Sequence, residues 1–481
     1  MEALNAGNEN VIPISSSEVV EQLWRTGAAD PKALGHLQLT GEEPCLPSSF
    51  LVGTAAQSAI AVAALAAAEV RATRGKGRQK VSVDMTHAAQ ECSNYLSIDG
   101  IVPELWDKFS GIYPCGKDGA AGWVRIHANF KHHREGALSL LGCPINGTAE
   151  KADVVKALEK WTALDFEEAA AKSQLVVAAA RSFDEWDRHP QSLALRDLPV
   201  FTIVKIGEAA PLPLSQLCAD SLPLEGIRVL DLTRILAGPV AGRTLAGYGA
   251  DVMLVNSPKL PNIDAIAETS RGKLSVELDL QTAADRELLK SLVGRSHMFV
   301  QGYHPGGLAA LGFSPDALAA LRPGLVYISL SAYGHRGPWA ERRGFDSLVQ
   351  TTTGFNFAEA AAAGTSTPKA LPVQILDHAS GYLMAFAAQL ALIRQQREGG
   401  SWHVRVSLAQ TAQWVRGLGR QPEGLKATRP PIDNFLEQSD SGFGKLVAVS
   451  HSAKFSITPA KWHRLSMPPG SHRAVWPDHS V

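Results

Sequence analysis

The chain is short of the features that mark several common protein classes. Its five cysteines, Cys45, Cys92, Cys115, Cys143 and Cys218, are scattered, odd in number and form no CxxC pair. A disulfide framework and a cysteine-based structural zinc site are therefore not expected, and free thiols in a reducing, cytoplasmic compartment are. There is no excess of charge: 46 basic against 47 acidic residues leave a net charge of -1. Nothing in that balance offers an electrostatic footprint for nucleic acid or an anionic membrane. The acidic start, Glu2 to Glu9, lacks the basic and apolar regions of a secretory leader. The longest apolar stretch, Ala55 to Val70, is Ala-rich and interrupted by Gln57, Ser58 and Glu69, so it reads as a buried helix rather than a membrane span. Metal-ligand spacing is missing as well, because His127, His132 and His133 cluster without a helix or finger pattern. What remains is a 481-residue, 45% hydrophobic chain, long enough for two domains with substantial cores and suited to small-molecule chemistry.

The second half alternates strands and helices. Gly226 to Thr233 is a short apolar strand, Arg234 to Pro239 a turn, Val240 to Tyr248 a helix, and Asp251 to Val255 the next strand. Further strands are expected at His297 to Val300 and Leu325 to Leu330. Such βαβ order predicts an α/β, doubly wound parallel sheet with ligands at the carboxyl ends of its strands. The glycines at 238, 242, 247 and 249 do not have G-x-G-x-x-G spacing, so a nicotinamide or flavin fingerprint is absent. Arg271, Lys273, Arg342 and Arg343 read either as solvated surface or as phosphate contacts.

The most informative stretch is Pro372 to Gly381, which sets Asp377 at the end of an apolar run and at the start of a helix reaching Arg394. Asp377 is the candidate nucleophile, and the alternative reading is a helix cap. An offset of 323 residues carries Arg71 onto Arg394 and Val81 onto Val404, which points to an internal repeat. At that offset Asp377 falls on Thr54, so one copy alone carries the carboxylate. The expected organisation is an arm over 1–50, a helix with a small α+β domain over 51–222, an α/β domain over 223–415, and an extended tail over 416–481. The Pro-containing stretch before Leu222 supplies the boundary.

Taken together, Val229 to Thr233 with Ala237-Gly238-Pro239, Gly249 to Val252, Arg271-Gly272-Lys273, Leu278-Asp279-Leu280, Pro305-Gly306-Gly307, Gly334 to Pro338, Gly344-Phe345-Asp346 and Asp377 with Gly381 resemble the class III CoA-transferases. That family also contains the α-methylacyl-CoA racemases. Arg74 to Met85 and Tyr113 to Gly119 resemble the family's later segments, so the segments stand in permuted or fused order. The resemblance implies a Rossmann-like CoA-binding domain, a smaller α+β domain and a homodimer. It also implies coenzyme A or acyl-CoA as substrate with no permanently bound cofactor, a small carboxylic acid as second substrate, and Asp377 as nucleophile. CoA contacts are expected from Arg234, Ile235, Leu236, Ala237, Lys273 and Tyr333, and oxyanion donors from backbone N–H groups at the start of the Asp377 helix. A carboxylate of ordinary pKa is ionised at neutral pH and attacks a thioester without a general base. The racemase branch places a histidine where this chain has Phe345, which favours transfer, while His335 and His378 keep the racemase alternative in view. Asn256, Ser270 and Gln301-Gly302-Tyr303-His304 depart from the usual pattern, and no run of glycines offers a lid. These departures leave a non-catalytic, CoA-binding member as a third reading.

Overall fold

The computed structural model describes residues 13–478, so the acidic start lies outside the described residues. Seven strands form the central sheet: β1 (Phe201–Gly207), β2 (Arg228–Leu232), β3 (Asp251–Asn256), β4 (Leu274–Glu277), β5 (Met298–Gln301), β6 (Val326–Ser331) and β7 (Ser401–Ser407). Their spatial order is β4-β3-β2-β5-β6-β7-β1, parallel throughout except for β1, which runs antiparallel to β7. From β2 to β7 this is the 3-2-1-4-5-6 order of a dinucleotide-binding sheet, with its switch point between β2 and β5. The expected α/β, doubly wound architecture is thus present. β4 and β1 were not foreseen as strands.

Three helices matter most for the site: α1 (Val52–Thr73), α2 (Ala237–Gly247) and α3 (Ile375–Glu398). Residues Val52 to Arg71 of α1 and Ile375 to Ile393 of α3 are buried without interruption. A helix apolar on every side must be enclosed by protein, and these two enclose each other. Gln389 Nε2 donates to the Ala63 carbonyl at 3.0 Å, and Thr73 Oγ1 donates to Gln396 Oε1 at 3.1 Å. Thr73 and Gln396 are counterparts at the 323-residue offset, so the repeat read from sequence is a repeat in space whose two copies touch at equivalent positions. α1 is the one helix among the described residues long and apolar enough to cross a membrane, and its apolar window is wholly buried in the protein.

The expected linear cuts do not separate packed units. β1 lies before the boundary at 222 yet pairs with β7, and a single apolar core joins Val19 and Trp24, α1, α2 and α3. Trp24, from the expected arm, stacks on Phe386 of α3 with ring centroids 5.5 Å apart. Nor is the tail a free arm. Leu436–Ser441 pairs with Gly444–Val449, which pairs with Leu96–Ile98 of the first half. Ala453–Phe455 pairs with Val81–Asp84. The tail closes sheets that the first half leaves open, which no local pattern in its sequence announces. A smaller α+β unit does form, from the sheet of Gly111–Pro114, Trp123–Ile126 and Val177–Ala179 with helices Lys131–Leu140, Lys151–Leu158 and Ala163–Lys172 and its own core.

α3 crosses α2 at Gly381. A Cβ there would stand 2.5 Å from the Ala237 carbonyl oxygen and 2.8 Å from Val240. An alanine would gain about 1 kcal/mol of helix propensity, but the Ala237 carbonyl and the buried Val240 side chain stand in its way, and overpacking costs about 1–3 kcal/mol. Gly381→Ala is therefore expected to lower the denaturant midpoint despite the better helix former. A neutral or raised midpoint in equilibrium unfolding would show that the two helices are free to separate.

Candidate active site

A cavity of about 610 Å³ opens at the carboxyl ends of β2 to β6. Its walls hold Leu232, Arg234 to Ala237, Asn256, Leu278 and Leu330 to Ala332 from the sheet edge, together with Arg342 to Phe345. They also hold Phe130, His132, His133 and Val176 from the small unit of the first half. Asp377 reaches the same cavity from the first turn of α3. One chain thus supplies both sides of the space.

The cap reading of Asp377 does not hold. The helix begins at Ile375, Gln374 stands at its N-terminal flank, and no side chain there caps it. The first-turn N–H of Asp377 is satisfied by another carboxylate, Asp346 Oδ2, at 2.9 Å. Asp346 also accepts from the Leu376 N–H and from the Gln350 side-chain amide. The copy at α1 repeats the device, with Glu43 Oε1 accepting from the Thr54 N–H at 2.7 Å. An anion at a helix N-terminus gains from both the free donors and the dipole.

This arrangement revises two expectations. The helix-start N–H groups expected to stabilise an oxyanion are already committed to Asp346. And Asp377 is not an ordinary carboxylate. Burial, first, and the Asp346 carboxyl, second, push it well above the usual carboxylate range. Burial also raises Asp346, against the opposing pull of the Asp377 N–H, Gln350, the Leu376 N–H and Arg125. Two buried carboxyls in such contact titrate as a pair, because ionising the second places like charges side by side.

Of the residues expected to meet coenzyme A, Arg234, Ile235, Leu236 and Ala237 line the cavity, and Lys273 and Tyr333 do not. Lys273 is fully buried, with Nζ 2.7 Å from Asp231 Oδ2 and 2.8 Å from the Pro239 carbonyl. It anchors α2 to β2. Tyr333 is buried behind the cavity, with its hydroxyl 3.4 Å from Thr352 Oγ1. Arg271 is buried against Glu268 and Glu437, so its solvated reading is corrected. Ile235 has φ of 76°, a conformation that costs a β-branched residue about 1–3 kcal/mol. It turns the chain directly into α2, whose first-turn N–H groups have no intrahelical partners. Pro239 stands in that turn and needs no donor.

Sequence reasoning missed the contribution of the small unit. Phe345 stacks on His127 at 4.0 Å with ring planes 13° apart, and His133 lies 6.2 Å from Phe345. His133 is buried with both ring nitrogens unpartnered among the described residues. Burial, then His132, Arg343 and Arg234, bring its pKa down to about 4, which leaves it neutral at physiological pH. The cluster 127/132/133 was legible as a cluster; that His132 and His133 wall the cavity Asp377 reaches was not. Of the histidines named as possible partners of Asp377, His378 sits behind the helix with Nε2 2.7 Å from Asn94 Oδ1, and His335 lines a different cavity. No group of three or more potential metal ligands occurs among the described residues. Arg343 is exposed at the rim and makes no ion pair among the described residues, whereas Lys259 pairs with Asp279.

A Rossmann-like sheet thus carries at its switch point a cavity that the small unit also walls and that Asp377, beside a second buried carboxyl, reaches. Residues 224–421 match the family described as CoA-transferase family III, in agreement with the resemblance read from sequence. An acyl-CoA transferase of Gibberella moniliformis is 27% identical over 418 residues, covering 79% of this chain and 73% of its own. A probable fatty acyl-CoA transferase of Mycobacterium tuberculosis is 34% identical over 204 residues, covering 40% of this chain and 51% of its own. A solved CaiB/BaiF family protein of Brucella suis is 28% identical, with a TM-score of 0.37, covering 47% of this chain and 65% of that one. With the Mycobacterium relative, as with a succinate–glutarate CoA-transferase of Agrobacterium fabrum, the chain spans only about half the relative's length.

Two measurements test this geometry. Removing the Lys273 ammonium leaves the Asp231 carboxylate buried and unpaired, at a cost of about 3–5 kcal/mol. Lys273→Met is accordingly expected to lower the unfolding free energy by that order; unchanged stability would return Lys273 to a ligand-binding role. A carboxyl whose folded pKa is raised binds its proton more tightly in the folded state, so its contribution to stability declines as pH rises from the unfolded pKa through the folded one. Asp346→Asn removes that loss and should raise the melting temperature at pH 8 more than at pH 4. An equal shift at both would show that the pair is not titrating.

Proposed function

We propose that the protein is an acyl-CoA:carboxylate CoA-transferase working through Asp377. The observation that carries the reading is the buried Asp377 carboxyl at the base of a cavity large enough for an extended thioester, walled by the sheet's switch point. In the proposed cycle the ionised carboxylate attacks the thioester carbonyl of an acyl-CoA, the C–S bond breaks, and CoA thiolate leaves. The thiolate then attacks the aspartyl carbonyl of the mixed anhydride. That step releases the first carboxylate and leaves an aspartyl-CoA thioester. An acceptor carboxylate repeats the two steps in reverse and restores Asp377.

The residues around the site suit these roles. Arg234, Arg342, Arg343 and Lys259 give the rim a positive field for phosphate groups, and Leu236, Leu278 and Leu330 an apolar wall. With the α3 donors occupied, the first-turn N–H groups of α2 at Ala237 and Gly238 are the better oxyanion donors. A carboxylate held more basic by burial and by Asp346 is a stronger nucleophile once ionised, at the cost of being protonated over a wider pH range. The proposal extends to a homodimer and a cytoplasmic location, which the unpaired thiols suit.

A second reading, an α-methylacyl-CoA racemase or isomerase, rests on His133, which shares the cavity with Asp377 and is neutral. Uptake of deuterium at the α carbon without an acceptor acid would favour it. A non-catalytic CoA-binding role would show as CoA binding with no thioester consumed.

For transfer, Asp377→Ala should keep the fold and abolish exchange of labelled CoA between acids. Borohydride or hydroxylamine trapping with acyl-CoA should modify Asp377 in the unaltered protein, and retained exchange in the variant would end the proposal. The kcat profile should fall on the acid side as the carboxyl pair protonates. Asp346→Asn should move that limb to lower pH, and an unmoved limb would separate Asp346 from the chemistry.

A further inference from the structure

A second cavity, of about 170 Å³, lies at the ends of β6 and β7, on the other side of the Tyr303–Leu308 segment from the main one. Parallel pairing sets Tyr327 beside His403 and Ser329 beside Arg405. The alternation of side chains along each strand then brings Tyr327, Ser329, Ser331, His403 and Arg405 to one face. His335 joins them from the loop after β6.

The charge of this space is one-sided. Arg405 lines it half-buried, and its guanidinium, like that of the nearby exposed Arg336, makes no ion pair or hydrogen bond among the described residues. Burial, then Arg336, lower the Arg405 pKa, against the opposing pull of the Asp316 carboxylate. His403 is 6% exposed; its Nε2 is held 2.8 Å from Ser329 Oγ, and its Nδ1 has no partner among the described residues. Burial, then Arg405 and His335, bring its pKa down to about 3. A buried nitrogen without a partner costs free energy that a bound group would recover, and no carboxylate lines the space against the Arg405 guanidinium.

We propose that this cavity is a second binding site, for a small oxyanion of the carboxylate or phosphate type. Arg405 supplies the charge-assisted contact, Ser329, Ser331 and the His403 ring the polar lining, and Arg336, whose charge acts on Arg405 and His335, adds to the field. The volume admits an anion of a few heavy atoms and excludes a nucleotide. It does not rest on Asp377 chemistry. The Tyr303–Leu308 segment forms a wall of both cavities, which gives an occupant here a physical path to the larger site.

Titration calorimetry of the full chain with inorganic phosphate and, separately, with acetate tests this. One equivalent of either anion should bind, with equal affinity in the unaltered protein and in Asp377→Ala, whatever the fate of the transferase reading. Loss of a charge-assisted contact predicts binding weaker by about tenfold or more in Arg405→Gln. Arg336→Gln, on an exposed loop and harmless to folding, should weaken binding less and make it less sensitive to salt. Phosphate binding without acetate binding would identify the tetrahedral class, and the reverse the carboxylate class. No stoichiometric binding of either, or binding unchanged in both arginine variants, would overturn the proposal.

Discussion

The packing of α1 along α3 is the constraint on which the rest depends. α3 carries Asp377, and almost its whole length is inaccessible to solvent, so it has no stable place until a second apolar helix covers it. α1, nearly all alanine, valine and small polar residues, is that cover. Small side chains let the two backbones come close, and an amide and a hydroxyl supply the few polar contacts between them. The two copies of the repeat are thus each other's core, and neither half is complete by itself.

A buried polar knot fixes how the remaining segments dock on that pair. Glu91 accepts from Tyr382 Oη at 2.7 Å, from Arg243 at 3.2 Å, and from the backbone and hydroxyl of Ser452 at 2.8 and 2.7 Å. His451 Nδ1 lies 2.9 Å away and its Nε2 3.0 Å from Tyr248 Oη. One carboxylate therefore joins the first half, α2, α3 and the tail. Such a charge is tolerable in the interior only because every lone pair has a donor. The knot holds the tail at the back of the site, leaving the cavity open at the strand ends.

At the front, α3 brings Asp377 against Asp346, and α2 brings the Arg234–Ala237 turn, while the small unit supplies Phe130, His132 and His133. Asp346 serves two ends at once. It satisfies donors that the helix start would otherwise leave exposed in the interior, and it raises the affinity of Asp377 for its proton. The same contact therefore anchors the helix and sets the acidity of the proposed nucleophile.

The sequence by itself determined what is local or periodic. The βαβ order gave the parallel sheet, the apolar run and helix gave Asp377 its neighbourhood, and the constant offset gave the repeat, since each is written in the spacing of adjacent residues. Tertiary structure decided what depends on partners distant in the chain. β1 is a strand because β7, almost two hundred residues later, offers it an edge, and the tail's strands exist because the first half leaves edges unpaired. Lys273 is a buried anchor because Asp231 lies beneath it, although its motif reads equally well as a phosphate contact. Asp377 left its ordinary acidity when folding removed water and set a second carboxyl beside it. No sequence window contains both groups and their shared burial, so only the folded chain could place them together.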